Sequence, residues 1–182
     1  TATNAAGRHI IKVPFKVEPR LSEATDFDGP WTTGGLTISR LPTSTPFWVN
    51  QSTLTMDGLD AVEGWLGPSP VASTWMETEV TGPATLYFTY RLKGFGSAFA
   101  TDQAEFGVIV GAGYKALATT GLNPNDTGWR EAAVPIPSGL QRATWQLSSP
   151  RGGIGVRAYV DQVWTSTDPR PRLTQPAAQT GV

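Results

Sequence analysis

Between its turn signals, this chain alternates apolar and polar residues with period two almost throughout. In residues 85–92, Leu86, Phe88, Tyr90 and Leu92 fall on one side and Thr85, Thr89 and Arg91 on the other. Successive side chains of a strand point to opposite faces, so such a segment has one face to bury and one to hydrate. Similar short segments run through 36–40, 47–55, 59–65, 74–80, 105–110, 114–118, 129–136, 140–147 and 156–165. Between them lie Asp28-Gly29-Pro30, Asp57-Gly58, Gly82-Pro83, Asn123-Pro124-Asn125-Asp126 and Arg151-Gly152-Gly153. No window holds a 3.6-residue pattern of helix length, and only 16% of residues are charged, against 20 Gly and 15 Pro. Helices draw their exposed faces from Glu, Lys, Arg and Gln, so the composition points the same way as the period. The expectation is an all-β fold, a two-sheet antiparallel β-sandwich of the jelly-roll kind.

Several function classes fall away on composition. Fourteen Lys+Arg against fifteen Asp+Glu give a net charge of −1 and no basic field for nucleic acid. The absence of cysteine removes disulfides, thiolate nucleophiles and cysteine metal sites. No apolar run reaches the 18 residues of a membrane span. Thr1 stands where an initiator methionine would, and the chain is Thr-rich and Lys-poor, which favours a mature exported, extracellular protein. The one histidine, His9, lies in an N-terminal arm and leaves any Ser-His-Asp arrangement without a base. Glu77 and Glu79 share one face of a strand and read as its solvated side. The expectation is a non-catalytic protein.

The order of motifs carries a resemblance. Asp57-Gly58-Leu59-Asp60-Ala61, Val80-Thr81-Gly82-Pro83 and Leu86-Tyr87-Phe88 come first. Gly128-Trp129, Pro137-Ser138-Gly139 leading to Trp145, and Asp161-Gln162-Val163 follow. Over about residues 25–166 the chain resembles the jelly-roll accessory modules of large secreted bacterial proteins, of the MAM-like and cleaved-adhesin-like type. It departs from them at Gln162, where these modules often carry a second acidic residue. The resemblance implies a domain over 21–167 that binds or positions something rather than reacting with it, and it places Trp129 and Trp145 in the core. It also implies a possible calcium ion tying the first strand to the last, with Asp26, Asp28 and Asp161 as candidate ligands. Asp26 and Asp28 read equally well as turn formers before Gly29-Pro30. No cofactor is required.

Two functional readings follow. In the first, the arm over 1–20 presents Ile11, Val13, Phe15 and Val17 as a detached apolar stripe. Such a stripe can add as a strand to a neighbouring subunit and build a homopolymer, a filament or surface layer. It can equally be an edge strand of its own sandwich. The Pro-rich polar tail over 168–182 would then lie against its own domain or a neighbour. The alternative is a carbohydrate-binding or adhesion module, with Trp31, Trp48 and Trp75 stacking on sugar rings. Most of the seven tryptophans serve as core or interface residues on the plainer view. Asn50-Gln51-Ser52 and Asn125-Asp126-Thr127 are N-glycosylation sequons, relevant only where the source glycosylates secreted proteins.

Overall fold

In the computed structural model, residues 2–3, 9–10, 21–37, 48–66, 71–94, 104–120, 126–148 and 156–168 are described. Two short strands, β1 (Ala2–Thr3) and β2 (His9–Ile10), pair with each other antiparallel. A single-turn helix α1 (Leu21–Thr25) follows, then β3 (Thr32–Thr37), β4 (Trp48–Gln51), β5 (Ala61–Leu66) and β6 (Val71–Gly94). The chain continues through β7 (Ala104–Val110), β8 (Gly113–Thr120), β9 (Arg130–Ser148) and β10 (Val156–Ser166). Every pairing is antiparallel, in the order β4-β5-β10-β6-β9-β7-β8, with β3 on the other side of β6.

Two layers arise because β6 and β9 are long enough to belong to both. The second half of β6 (84–94) pairs with β10 and with the first half of β9, giving a first sheet with β5 and β4. The first half of β6 (71–82) pairs with β3 and with the second half of β9, giving a second sheet with β7 and β8. The register slips between Gly82 and Ala84, opposite Gly139, and this is where the two strands pass from one layer to the other. Gly82-Pro83 and Pro137-Ser138-Gly139 therefore bend strands that the sequence reading had divided in two. A turn-forming pair facing another across a ladder needs no chain reversal when both strands deflect together.

The inward residues are those the alternation selects. Leu86, Phe88, Tyr90 and Leu92 come from one layer, and Met76, Phe106, Val108, Trp145 and Leu147 from the other. Phe88 meets Trp145 edge-on at 5.4 Å between ring centroids, and Tyr90 meets Phe106 at 5.8 Å. Aromatic pairs in these geometries add about 0.5–1.5 kcal/mol each beyond the area they bury. One open end of the sandwich is closed by the segment after α1, where Trp31 lies 5.3 Å from Trp145 and donates Nε1–H to the Phe27 carbonyl at 3.0 Å.

Two expectations change here. Trp48 is only 2% exposed and packs 6.4 Å from Phe106 inside the sandwich. It turns inward because Gly64, its partner across the ladder, has no side chain; a Cβ there would lie 2.5 Å from Trp48 Cε2. Trp129 is half-buried just before β9, against the edge of Tyr159 at 6.5 Å, instead of lying in the core. Trp145 is fully buried, as expected. Ile11, Val13, Phe15 and Val17, together with Asn125 and the tail beyond residue 168, lie outside the described residues.

Candidate functional site

The outer face of the second sheet carries a shallow hollow of about 390 Å³, lined by Trp75, Glu77, Ile109, Arg142, Thr144 and Gln146. The pairing register sets out its two rows. Thr32, Glu77, Thr144, Ile109 and Tyr114 stand side by side on five consecutive strands. The next row is Gly34, Trp75, Gln146, Gly107 and Ala116. Glycine or alanine at three of these five places leaves Trp75 and Gln146 as the only large side chains of that row. The hollow thus opens beside Trp75 and Gln146, and the space over Gly107 is taken by the Tyr114 ring.

Its polar groups are held in place. The Glu77 carboxylate accepts from the Thr32 hydroxyl at 3.2 Å and the Thr144 hydroxyl at 3.4 Å, and it pairs with Arg142 Nη1 at 3.7 Å. The Arg142 side chain is largely exposed, so this pair is a positioning contact more than a source of stability. Tyr114, 51% exposed, lies across Gly107, where a Cβ would meet its hydroxyl at 2.5 Å. That hydroxyl donates to Glu105. Burial, and then Glu105, push its pKa up, so it stays a neutral donor at physiological pH. Three strand spacings separate β6 from β8, which puts Trp75 and Tyr114 about 14 Å apart across the face.

Of the three tryptophans expected in a glycan platform, the structure leaves Trp75 on an outer face. It places Trp48 in the core and Trp31 half-buried against Trp145. Tyr114 escaped the sequence reading, although the tight turn at Gly111-Ala112, with Gly111 at φ +59°, fixes it opposite Ile109. Asn50 is half-buried in β4 and its side-chain amide donates to Asp60 at 3.2 Å, which leaves that sequon poorly placed for a glycan.

A second constellation sits where α1 meets β5 and β10. Carboxylate oxygens of Asp26, Asp57 and Asp161 lie within 4.8 Å of one another. Asp57, from the Asp57-Gly58 turn, takes the place foreseen for Asp28, which is exposed and not part of the group. Asp26 reaches it from a left-handed conformation at φ +56° just after α1. Asp161 is 1% exposed and accepts from the Met56 N–H at 2.8 Å. Burial pushes its pKa up to about 6, opposed by the Met56 hydrogen bond and reinforced by Asp57. Asp26 is also raised, by burial and then by Asp57 and Asp60.

The chain matches no protein-family model and no curated protein. Among solved structures it is similar to the carbohydrate-binding module TmCBM61 in complex with β-1,4-galactotriose. Identity there is 16%, with 75% of this chain and 87% of that one covered and a TM-score of 0.45. It is similar to the K1 cleaved adhesin domain of Lys-gingipain from Porphyromonas gingivalis W83, at 12% identity, 72% and 90% coverage and a TM-score of 0.41. A family 30 carbohydrate-binding module matches at 13% identity, 82% and 89% coverage and a TM-score of 0.41. The cleaved adhesin is of the type that the motif order resembles. At these distances the matches assign no ligand.

Proposed function

We propose that the chain is a non-catalytic, extracellular carbohydrate-binding module that holds a neutral glycan on the outer face of the second sheet. One observation carries this reading. Trp75 stands beside Gln146, Thr144, Arg142 and Glu77 in an open hollow. An indole offers a large apolar plane to the C–H face of a sugar ring, and amide, hydroxyl and guanidinium groups around it meet the sugar hydroxyls. Tyr114 extends the surface along the row of Glu77 and Thr144. Glu77 and Glu79 lie side by side on one strand, whereas glycoside hydrolysis needs two carboxyl groups flanking the scissile bond. The described residues supply this glycan surface, whereas the anchors of self-assembly through the N-terminal arm, Ile11, Val13, Phe15 and Val17, lie outside them.

A calcium ion at Asp26, Asp57 and Asp161 belongs to the same proposal. The donor set fits: three hard carboxylate groups, close enough to share one ion, with a buried Asp161 whose charge is costly unless a cation meets it. The ion would tie α1 and the 52–60 loop to β10, and extracellular modules hold calcium of this kind at about 0.1–1 mM. The test is a neutral glycan array followed by calorimetry on the best binder, for the native chain and Trp75→Ala. Binding lost in a variant that melts normally supports the proposal. A folded chain that binds no glycan, or a Trp75→Ala variant that binds as before, overturns it.

A further inference from the structure

The outer face of the first sheet has a different chemistry. Trp65, Arg157 and Lys93 are direct partners on β5, β10 and β6, so an indole, a guanidinium and an ammonium stem stand in one row across three strands. Two strand spacings make that row about 10 Å long, longer than a single sugar ring. Trp65 is 40% exposed and the Arg157 side chain 39%. Beneath the row, Arg157 Nη1 meets Glu63 at 2.8 Å, and Tyr159 is buried with the Trp129 ring against it. Arg91, in the row of Glu63 and Tyr159, is forked onto Asp126 at 2.7 and 2.5 Å.

Charge separates this face from the hollow. Along these two rows Arg91, Lys93 and Arg157 oppose Glu63 and Asp126, and Glu131 stands in the next row, beside Thr89. The hollow's face instead carries Glu77, Glu79 and Glu105 against Arg142. A carboxylated ligand is repelled by the second face and met on the first by Arg157 and Lys93, side by side in the row of Trp65. We infer that the outer face of the first sheet is a second ligand surface, built for a linear polysaccharide of carboxylated sugars. A uronate unit has an apolar ring face for Trp65 and a carboxylate for the cations one and two strands away. With two faces of different charge pointing away from each other, one molecule would hold a neutral glycan and an acidic one together.

The test is calorimetric titration with an oligogalacturonate of six to ten units at low and at physiological salt. The native chain and the Trp65→Ala, Lys93→Gln and Trp75→Ala variants are compared after each has been shown to melt cooperatively. The native chain should bind, and more weakly as salt rises. Trp65→Ala should lose on the order of ten-fold or more in affinity and Lys93→Gln a few-fold, while Trp75→Ala binds as the native chain does. No uronate binding by the folded native chain at low salt overturns the inference. So does uronate binding that Trp75→Ala abolishes and Trp65→Ala leaves alone, because the acidic glycan would then occupy the hollow. Neutral-glycan binding, read on the same variants, stands or falls separately, since it depends on Trp75.

Discussion

The two outer faces of the sandwich are built by the same pair of strands and yet differ in kind. β6 and β9 run through both sheets, so each face begins from the same alternation. On the first sheet, Glu63, Tyr159, Arg91 and Arg157 are all large and fill one another's space through ion pairs and a ring contact. On the second, Gly34 and Gly107 flank Trp75 and Gln146 within their row, and a hollow opens. Whether a sheet face becomes a bed or a pavement is decided less by the residues that do the binding than by those with no side chain beside them.

The largest expected effect removes the support common to both faces. Trp145 is fully buried and touches Phe88 from one layer and Trp31 from the closing segment. Trp145→Ala should cost about 3–5 kcal/mol in urea unfolding and weaken both faces together. A loss below about 1 kcal/mol would mean that the layers do not rely on this contact.

The acidic cluster gives the next effect. Because Asp161 is raised from 3.8 to about 6, the folded state holds its proton more tightly than the unfolded chain. Its contribution is therefore full below pH 3.8 and lost as pH rises through about 6. In chelator, the melting temperature should rise on acidification from pH 7 to pH 5, with up to about 3 kcal/mol at stake over the full range. Added calcium should raise it at pH 7 and flatten that dependence. Asp161→Asn should melt higher than the native chain in chelator at pH 7 and ignore calcium. A chelated protein that destabilises steadily from pH 7 to pH 5 would contradict this account.

Much of the architecture was legible in the sequence, and its limits have physical causes. The inward set Leu86, Phe88, Tyr90 and Leu92 follows from alternation alone, because a strand offers a side chain only two faces. The inward turn of Trp48 escapes the local pattern because it depends on Gly64, its partner in a ladder that only the folded register specifies. Asp57 reads locally as a turn residue, and nothing local says that its turn closes onto β10. Trp75 was legible as outward-facing through its phase with Glu77, but the hollow beside it needs the register of β3 and β7.

A smaller effect separates the faces functionally. Trp75→Ala should lose at least about 2 kcal/mol of neutral-glycan affinity, roughly thirty-fold, with little change in melting. Filling the hollow from its far side with Gly107→Val should displace Tyr114 and weaken the same binding. Trp65→Ala should leave neutral-glycan affinity within two-fold, since it stands on the opposite side of the sandwich. Equal losses from Trp65→Ala and Trp75→Ala would dissolve the distinction between the faces.

The smallest effect concerns the ion pair at the rim of the first face. Asp126 receives both Arg91 nitrogens and the Gly128 N–H, and Arg91 above all draws its pKa down to about 2. The sign is opposite to that of Asp161. A depressed carboxyl stabilises the fold above its unfolded value of 3.8, and that contribution is lost as pH falls through about 2. Asp126 is 37% exposed, so solvent screens much of the pair. Asp126→Asn should therefore cost about 1 kcal/mol or less at pH 7, most of it at low salt. Below about pH 2 the variant and the native chain should converge, because the native carboxyl is protonated there. The same substitution removes one of the two carboxylates that offset Arg91, Lys93 and Arg157, so acidic-glycan binding should strengthen slightly while neutral-glycan binding stays fixed. Weaker uronate binding in Asp126→Asn would instead mean that Arg91 must be held by Asp126 to shape the face, and that geometry outweighs net charge there.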